Sequence, residues 1–413
     1  MTLLLFFFIL ITTVNNTGAQ PDLCDEKIKS VFFIQEGEKF SYPILHLNAN
    51  ETLTLRFDYL SDVPEDFSYK IQHLSADYKV DNSLHNEYAQ GFEINRIRNR
   101  KHSVNTLYSY NHYWLSFPNE DVKFLTSGNY LISVFPDGQP DKPMLQKVFY
   151  VVEGGSSIDA RVLKSMGTDL GDTHQHIEMS VTPDRQFAGN IEENVKVTVL
   201  QNMRYDNMLQ FPKPTRSNGT SMVFDDMELY NFEGGTEYRH FEMKSLRYES
   251  PGIERTDYIS PYYHVFLKAE KERPFEKYQF DRDINGQYAI QRDRSYDTNI
   301  EADYLYVHFK LDIPKPILDG NIYIVGALTG QQLNKQSKLE YNFDNNYYEK
   351  KMLLKQGYYN YLYIYKGMDN VSSTSYIEGS HFETENEYCI FVYFCPNGSR
   401  MHRLIGQRFV NSR

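Results

Sequence analysis

Leu354-Lys-Gln-Gly357-Tyr-Tyr359-Asn-Tyr361-Leu-Tyr363-Ile-Tyr365 decides how this chain folds. A glycine and an aromatic pair lead into a segment whose tyrosines recur at every second position, the period of a β-strand. Leu125-Thr-Ser-Gly128-Asn-Tyr130 repeats the opening and runs into Leu-Ile-Ser-Val-Phe135. Outward from these two segments the same period returns. Leu53, Leu55, Phe57 and Tyr59 alternate with Thr54, Arg56 and Asp58; Val195, Val197 and Val199 alternate with Lys196 and Thr198; Leu305, Val307, Phe309 and Leu311 alternate with Tyr306, His308 and Lys310. No stretch keeps helical spacing beyond about two turns. Pro136-Asp-Gly138, Asn285-Gly286 and Gln356-Gly357 supply turns between the runs. The 34 Tyr and 27 Phe among 413 residues suit half-buried pleated surfaces better than helices.

Leu-x-x-Gly-x-Tyr ahead of an alternating strand resembles the tyrosine corner of immunoglobulin-like sandwiches, where the hydroxyl ties an inter-sheet connection to backbone a few residues upstream. Glu153-Gly-Gly-Ser-Ser157 reads as a linker, and the polar stretch Arg292–Asn299 as a second boundary. The expected fold is all-β, with two or three consecutive β-sandwich domains over 20–153, 158–295 and 300–413. The first and third are read as immunoglobulin-like or early-set-like.

Met1 to Ala19 reads as a signal peptide: an apolar run from Leu3 to Val14 is too short to span a bilayer and is followed by small residues. The n-region departs from the usual pattern in having no Lys or Arg. No 18-residue apolar run follows, so no direct membrane span is expected. With 43 basic and 55 acidic residues, the net charge of −12 argues against nucleic acid as a partner. Cys389 and Cys395 would sit about 20 Å apart along one strand, too far to pair together. Cys24 either pairs with one of them or all three are free.

Nucleophile-elbow, zincin, Walker and dinucleotide-binding motifs are all missing, so no catalytic residue and no cofactor is assigned. Asp281-Arg-Asp283-Ile-Asn285-Gly286 matches the first half of a calcium loop, but Arg292 stands where a bidentate Glu belongs. The simpler reading is a hairpin joining Tyr278–Phe280 to Tyr288–Ile290 through Asn285-Gly286. His174 and His176 share a strand face without a third ligand nearby, so no metal is assigned. Glu383, Glu385 and Glu387 line one face of an extended segment as an acidic edge. Tyr359, Tyr361, Tyr363 and Tyr365 line another, which serves as sandwich core, as protein interface or as a sugar platform. These seven residues are the candidate partner interface.

Several strings then point to a family. They are Gln201-Asn-Met-Arg-Tyr-Asp-Asn207, Gly234-Gly-Thr-Glu-Tyr-Arg-His-Phe241, Ala302-Asp-Tyr-Leu-Tyr-Val-His-Phe309, Ile377-Glu-Gly-Ser380 and Thr384-Glu-Asn-Glu-Tyr388, with Asn119-Glu-Asp121 and Leu404-Ile-Gly406. Their order along nearly all of the mature chain resembles the plug protein of the type IX secretion system of Bacteroidota. Where that family carries His-Cys and a Trp around Asp77, this chain has His73-Leu74 and Tyr78. The resemblance implies a non-enzymatic periplasmic protein, peripherally associated with the outer membrane. It would dock on the periplasmic mouth of a giant outer-membrane β-barrel translocon and close it. The alternative is a periplasmic carbohydrate-binding or carbohydrate-processing protein built on the same sandwiches.

Overall fold

The computed structural model describes residues 22–167, 170–248 and 250–413; the expected signal peptide lies outside them. As expected, the fold is all-β, made of packed antiparallel sheets with a few single-turn helices.

The first sandwich pairs Ile28–Gln35, Leu53–Tyr59, Asn111–Phe117 and Asn99–His102 in one sheet. Its facing sheet is built from Leu145–Val152, Gly128–Pro136 and Phe67–Leu74, with short strands at the edges. Leu53, Leu55 and Phe57 meet Tyr130, Ile132 and Val134 between the sheets, so the alternation has the buried side that its apolar residues demand.

Two further sandwiches follow, but not end to end. Val195–Gln201 pairs along its whole length with Glu387–Phe394, and Arg403–Asn411 extends that sheet. The sheet packs on Ser156–Lys164, His174–Pro183 and Met222–Phe224. Residues 239–380 lie between and form the third sandwich. Gly357–Gly367 pairs there with Arg239–Glu242, Tyr288–Ile290 and Gly320–Val325. The facing sheet holds Ile253–Ile259, Tyr262–Leu267, Tyr304–Asp312 and Tyr347–Lys355. The sheets therefore cross the boundary expected at 292–299. That polar stretch is a capped loop: Asp297 accepts the Asn299 amide at the start of the turn Thr298–Glu301, and Glu301 accepts Ser295 Oγ at 2.9 Å.

Both tyrosine corners form. Tyr130 donates to the Thr126 carbonyl at 2.8 Å, and Tyr359 to the Lys355 carbonyl at 2.5 Å, each reaching four residues back. Tyr359→Phe removes the hydroxyl donor to the Lys355 carbonyl, and a loss of about 1–2 kcal/mol is expected in chemical denaturation. No measurable change would refute the assignment.

Glu153-Gly-Gly-Ser-Ser157 is a tight joint. The Glu153 amide donates to the Leu404 carbonyl at 3.0 Å, and its carboxylate holds Ser127 Oγ and Arg403. Around it the outer faces of the first and middle sandwiches share a dry seam of Ile44, Leu131, Val148 and Tyr150 against Leu200, Phe391, Tyr393 and Leu404. Tyr150 and Phe391 stack with ring centres 4.4 Å apart.

Candidate functional site

The tyrosine stripe faces inward. Tyr359, Tyr361 and Tyr363 are buried in the core of the third sandwich, so they are not a contact surface. Tyr361 and Tyr363 both donate to Glu270 at 2.7 Å. A carboxylate distant in sequence thus satisfies the polar tips that had suggested an interface. Tyr365 is half-buried and stacks on Tyr376 at 4.3 Å. With the stripe inside the fold, the sugar-platform reading loses its residues.

Glu383, Glu385 and Glu387 alternate with buried Thr384 and Asn386; Glu385 is exposed, while Glu383 and Glu387 are half-buried. Burial raises the Glu387 carboxyl, and a Tyr42 contact offsets part of that. Asp283 accepts the backbone amides of Tyr238 at 2.5 Å and Asn285 at 2.8 Å. Its segment is therefore held by amides rather than arranged as a cation loop. The Asn285-Gly286 turn is present with both φ angles positive, yet Tyr288–Ile290 pairs with Gly357–Tyr359 and not with Tyr278–Phe280. His174 bonds Thr173, while burial lowers the pKa of His176. Among the described residues no three His, Cys, Asp or Glu side chains form a metal-holding group, and all three cysteines are free.

What the structure assembles instead is a set of polar seams. Asp58, wholly buried, accepts Lys355 Nζ at 2.6 Å, Tyr304 hydroxyl at 2.7 Å and His112 Nδ1 at 2.6 Å, joining the first sandwich to the third. Burial alone would raise the Asp58 carboxyl, but Lys355 and His112 outweigh it and hold it below the ordinary carboxylate value. Asp303 caps the same seam by accepting the amides of Leu107 and Tyr108.

The strings that carry the family resemblance build the second polar seam, between the middle and third sandwiches. Asn202 bonds Asn386 and Gln201 bonds Tyr388 inside the middle sandwich, while buried Arg204 bonds Thr374 and Glu233 accepts the Thr374 amide across to the third. Within the third sandwich, Glu378 takes Arg239 and Arg273 together with the Tyr363 amide. At Gly234 an added Cβ would come within 2.0 Å of the His381 carbonyl oxygen, so only glycine lets these strands approach.

The outer face of the sheet that carries Tyr304–Asp312 holds an aromatic and cationic ladder. Phe266 stacks on His308 at 4.3 Å, Arg255 covers Phe266, and His264 Nδ1 lies 2.8 Å from His308 Nε2. Burial, then the neighbouring His264, Lys351 and Arg255, push His308 down to about 4. The sign follows: the unfolded chain binds a proton near pH 6.5 that the folded chain refuses, so stability falls as pH drops from about 6.5 toward 4. His308→Gln should flatten the stability–pH curve in that window, and an unchanged slope would refute the assignment.

Beside this face a groove of about 850 Å³ opens between the first and third sandwiches. Seven lysines line it (27, 29, 147, 335, 350, 351 and 355) against one carboxylate, Glu26. Lys147 and Lys355 are paired with Asp22 and Asp58; the other five make no ion pair among the described residues. Tyr306, with Lys351 set 5.1 Å over its ring, lines one side.

The fold and seams define an assembly of three packed β-sandwiches. Residues 28–153 match the family model for the first domain of the type 9 secretion system plug protein. A crystal structure of a hypothetical protein from Parabacteroides merdae superposes with a TM-score of 0.91 at 33% identity, over 94% of this chain and 98% of that one. An alkylpurine DNA glycosylase from Pseudomonas fluorescens aligns over 30% of each chain with a TM-score of 0.17, too low to carry any argument. No curated protein matches the chain. The chain belongs to the type 9 secretion system plug protein family.

Proposed function

We propose that this protein is a non-enzymatic periplasmic plug subunit that docks on the periplasmic mouth of the type IX outer-membrane β-barrel translocon and holds it shut. The match over residues 28–153 supports this reading most directly. The seams agree with it, because a stopper for a wide lumen has to resist deformation. A buried apolar core joins the first sandwich to the middle one, the buried Lys355–Asp58 ion pair joins the third to the first, and the hydrogen bond from Arg204 to Thr374 joins it to the middle one. Opening for cargo then requires only that the plug bind the closed and cargo-loaded states with different affinity. No described helix is long and apolar enough to cross a membrane.

Of the surface expected to meet the barrel, Glu385 is exposed and Glu383, Glu387 and Tyr365 are half-buried, and these four are the first to change. The test is a pull-down with the full chain from solubilised outer membranes, paired with gene deletion. Capture of a large β-barrel protein, weakened by Glu385→Lys, together with increased entry of large solutes on deletion, is the expected result. An outer membrane no leakier after deletion would falsify the closing role.

A further inference from the structure

The lysine-lined groove is not explained by the seams. Its five unpaired lysines are gathered in a chain whose net charge is −12. Lys27 and Lys29 stand on the wall given by the first sandwich; Lys335, Lys350 and Lys351 stand on the wall given by the third. Burial, together with the nearby Lys335, lowers the pKa of Lys350 despite Glu340. Like charges gathered on both walls favour an anion within the groove.

The backbone adds a second requirement. Ile28–Gln35 is the outermost strand of its sheet and lines the groove, but its edge is partly used by the seam. The Val31 carbonyl accepts Tyr288, and Ser30 Oγ bonds Tyr304 at 2.6 Å. On the opposite wall, Tyr347–Lys355 pairs on its outer side only at residues 347–349, with Glu340–Asn342. Residues 350–355 therefore keep one edge without a strand partner among the described residues, with the Lys355 carbonyl taken by Tyr359, and all six line the groove. In an antiparallel strand alternate residues turn their N–H and C=O toward that free side. A groove with one open strand edge and lysines on both walls suits a ligand that has both a backbone and carboxylates.

We infer that this groove binds an acidic, extended peptide segment, which adds as a strand to residues 350–355 and sets its carboxylates against Lys27, Lys29, Lys335 and Lys351. A chain segment of that kind gains main-chain hydrogen bonds for affinity and lysine contacts for selection. The inference stands apart from docking on the barrel, because it is tested with a free peptide and no translocon present.

The experiment is fluorescence polarisation of the full protein with a labelled peptide of about twelve residues that alternates Glu with Thr or Val. A second peptide carries the same charges with proline at alternate positions, and inorganic polyphosphate serves as competitor. Lys29→Glu combined with Lys351→Glu is expected to weaken binding at least about 10-fold. The proline peptide should bind at least as poorly, and hydrogen exchange should slow at residues 350–355 on binding of the first peptide. Unchanged thermal melting of the double variant shows that the fold is kept. Equal binding of the proline peptide, equal binding by the double variant, or full displacement by polyphosphate at equal charge concentration would overturn the proposal.

Discussion

Replacing Asp58 by Asn is expected to cost about 3–5 kcal/mol, because it leaves the Lys355 ammonium buried without its carboxylate. Lys355 is 2% exposed and has just one other hydrogen-bond partner, the Asn299 carbonyl at 2.6 Å. The same change weakens the contacts of Tyr304 and His112, which share Asp58. The single tryptophan makes the loss readable: Trp114 lies on the strand Asn111–Phe117 and its ring stacks beside His112 at 5.9 Å. Asp58→Asn should shift the Trp114 emission transition to lower denaturant, while Asp58→Asn with Lys355→Met should recover part of the loss, since removing both charges leaves nothing uncompensated. Acid should mimic the single change. A carboxyl held below its ordinary value contributes stability that is present above about pH 4 and is lost as pH falls through the folded value. A single-variant loss below about 1 kcal/mol would show that water reaches the pair and that the seam is not dry.

Asp58 also marks where sequence reading stops. It sits at a polar position of the run Leu53 to Tyr59, and a period-two pattern assigns such positions to solvent. That assignment holds for one sandwich alone. Here the third sandwich covers the far face of the sheet, so the polar side of the strand becomes a second interior. The tyrosine stripe shows the complementary ambiguity. Alternation at Tyr359, Tyr361 and Tyr363 was legible, but period two distinguishes two faces without saying which is inside. Tyrosine suits either face, and the deciding partner, Glu270, lies some ninety residues earlier. The Leu-x-x-Gly-x-Tyr corners were legible because the hydroxyl closes on backbone four residues away. The insertion of residues 239–380 was not, because it depends on Val195–Gln201 pairing with Glu387–Phe394, and no local signal encodes that distance. Gly-Gly-Ser-Ser composition suggested a loose linker for the same reason. The dry seam that tightens it is formed by residues elsewhere in the chain.

Glu378→Ala tests the buried ion cluster inside the third sandwich and should be comparably damaging, at about 3–5 kcal/mol. The Glu378 carboxylate is fully buried and is shared by Arg239 at 2.9 Å and Arg273 at 2.7 Å, which hold its carboxyl low against the burial that would raise it. It also accepts the Tyr363 amide at 2.8 Å from the central strand Gly357–Gly367. Truncation takes the carboxylate from two guanidinium groups, leaving Arg239 with Glu270 and the Lys271 carbonyl and Arg273 with the Glu237 carbonyl, and strips the buried Tyr363 amide of its side-chain acceptor. The strands on either side of the insertion pair with each other independently of this site, so the middle sandwich keeps its sheet. The consequence should therefore be confined. Hydrogen exchange should accelerate over Arg239–Glu242 and Gly357–Gly367, whereas the Trp114 transition, which reports the first sandwich, should move less than it does in Asp58→Asn. If the whole chain melts in one step with equal shifts at both reporters, the third sandwich is not a separable unit and the seams act as a single core. If only the inserted sandwich loosens, its own buried ion cluster stabilises it as a separable unit of the fold.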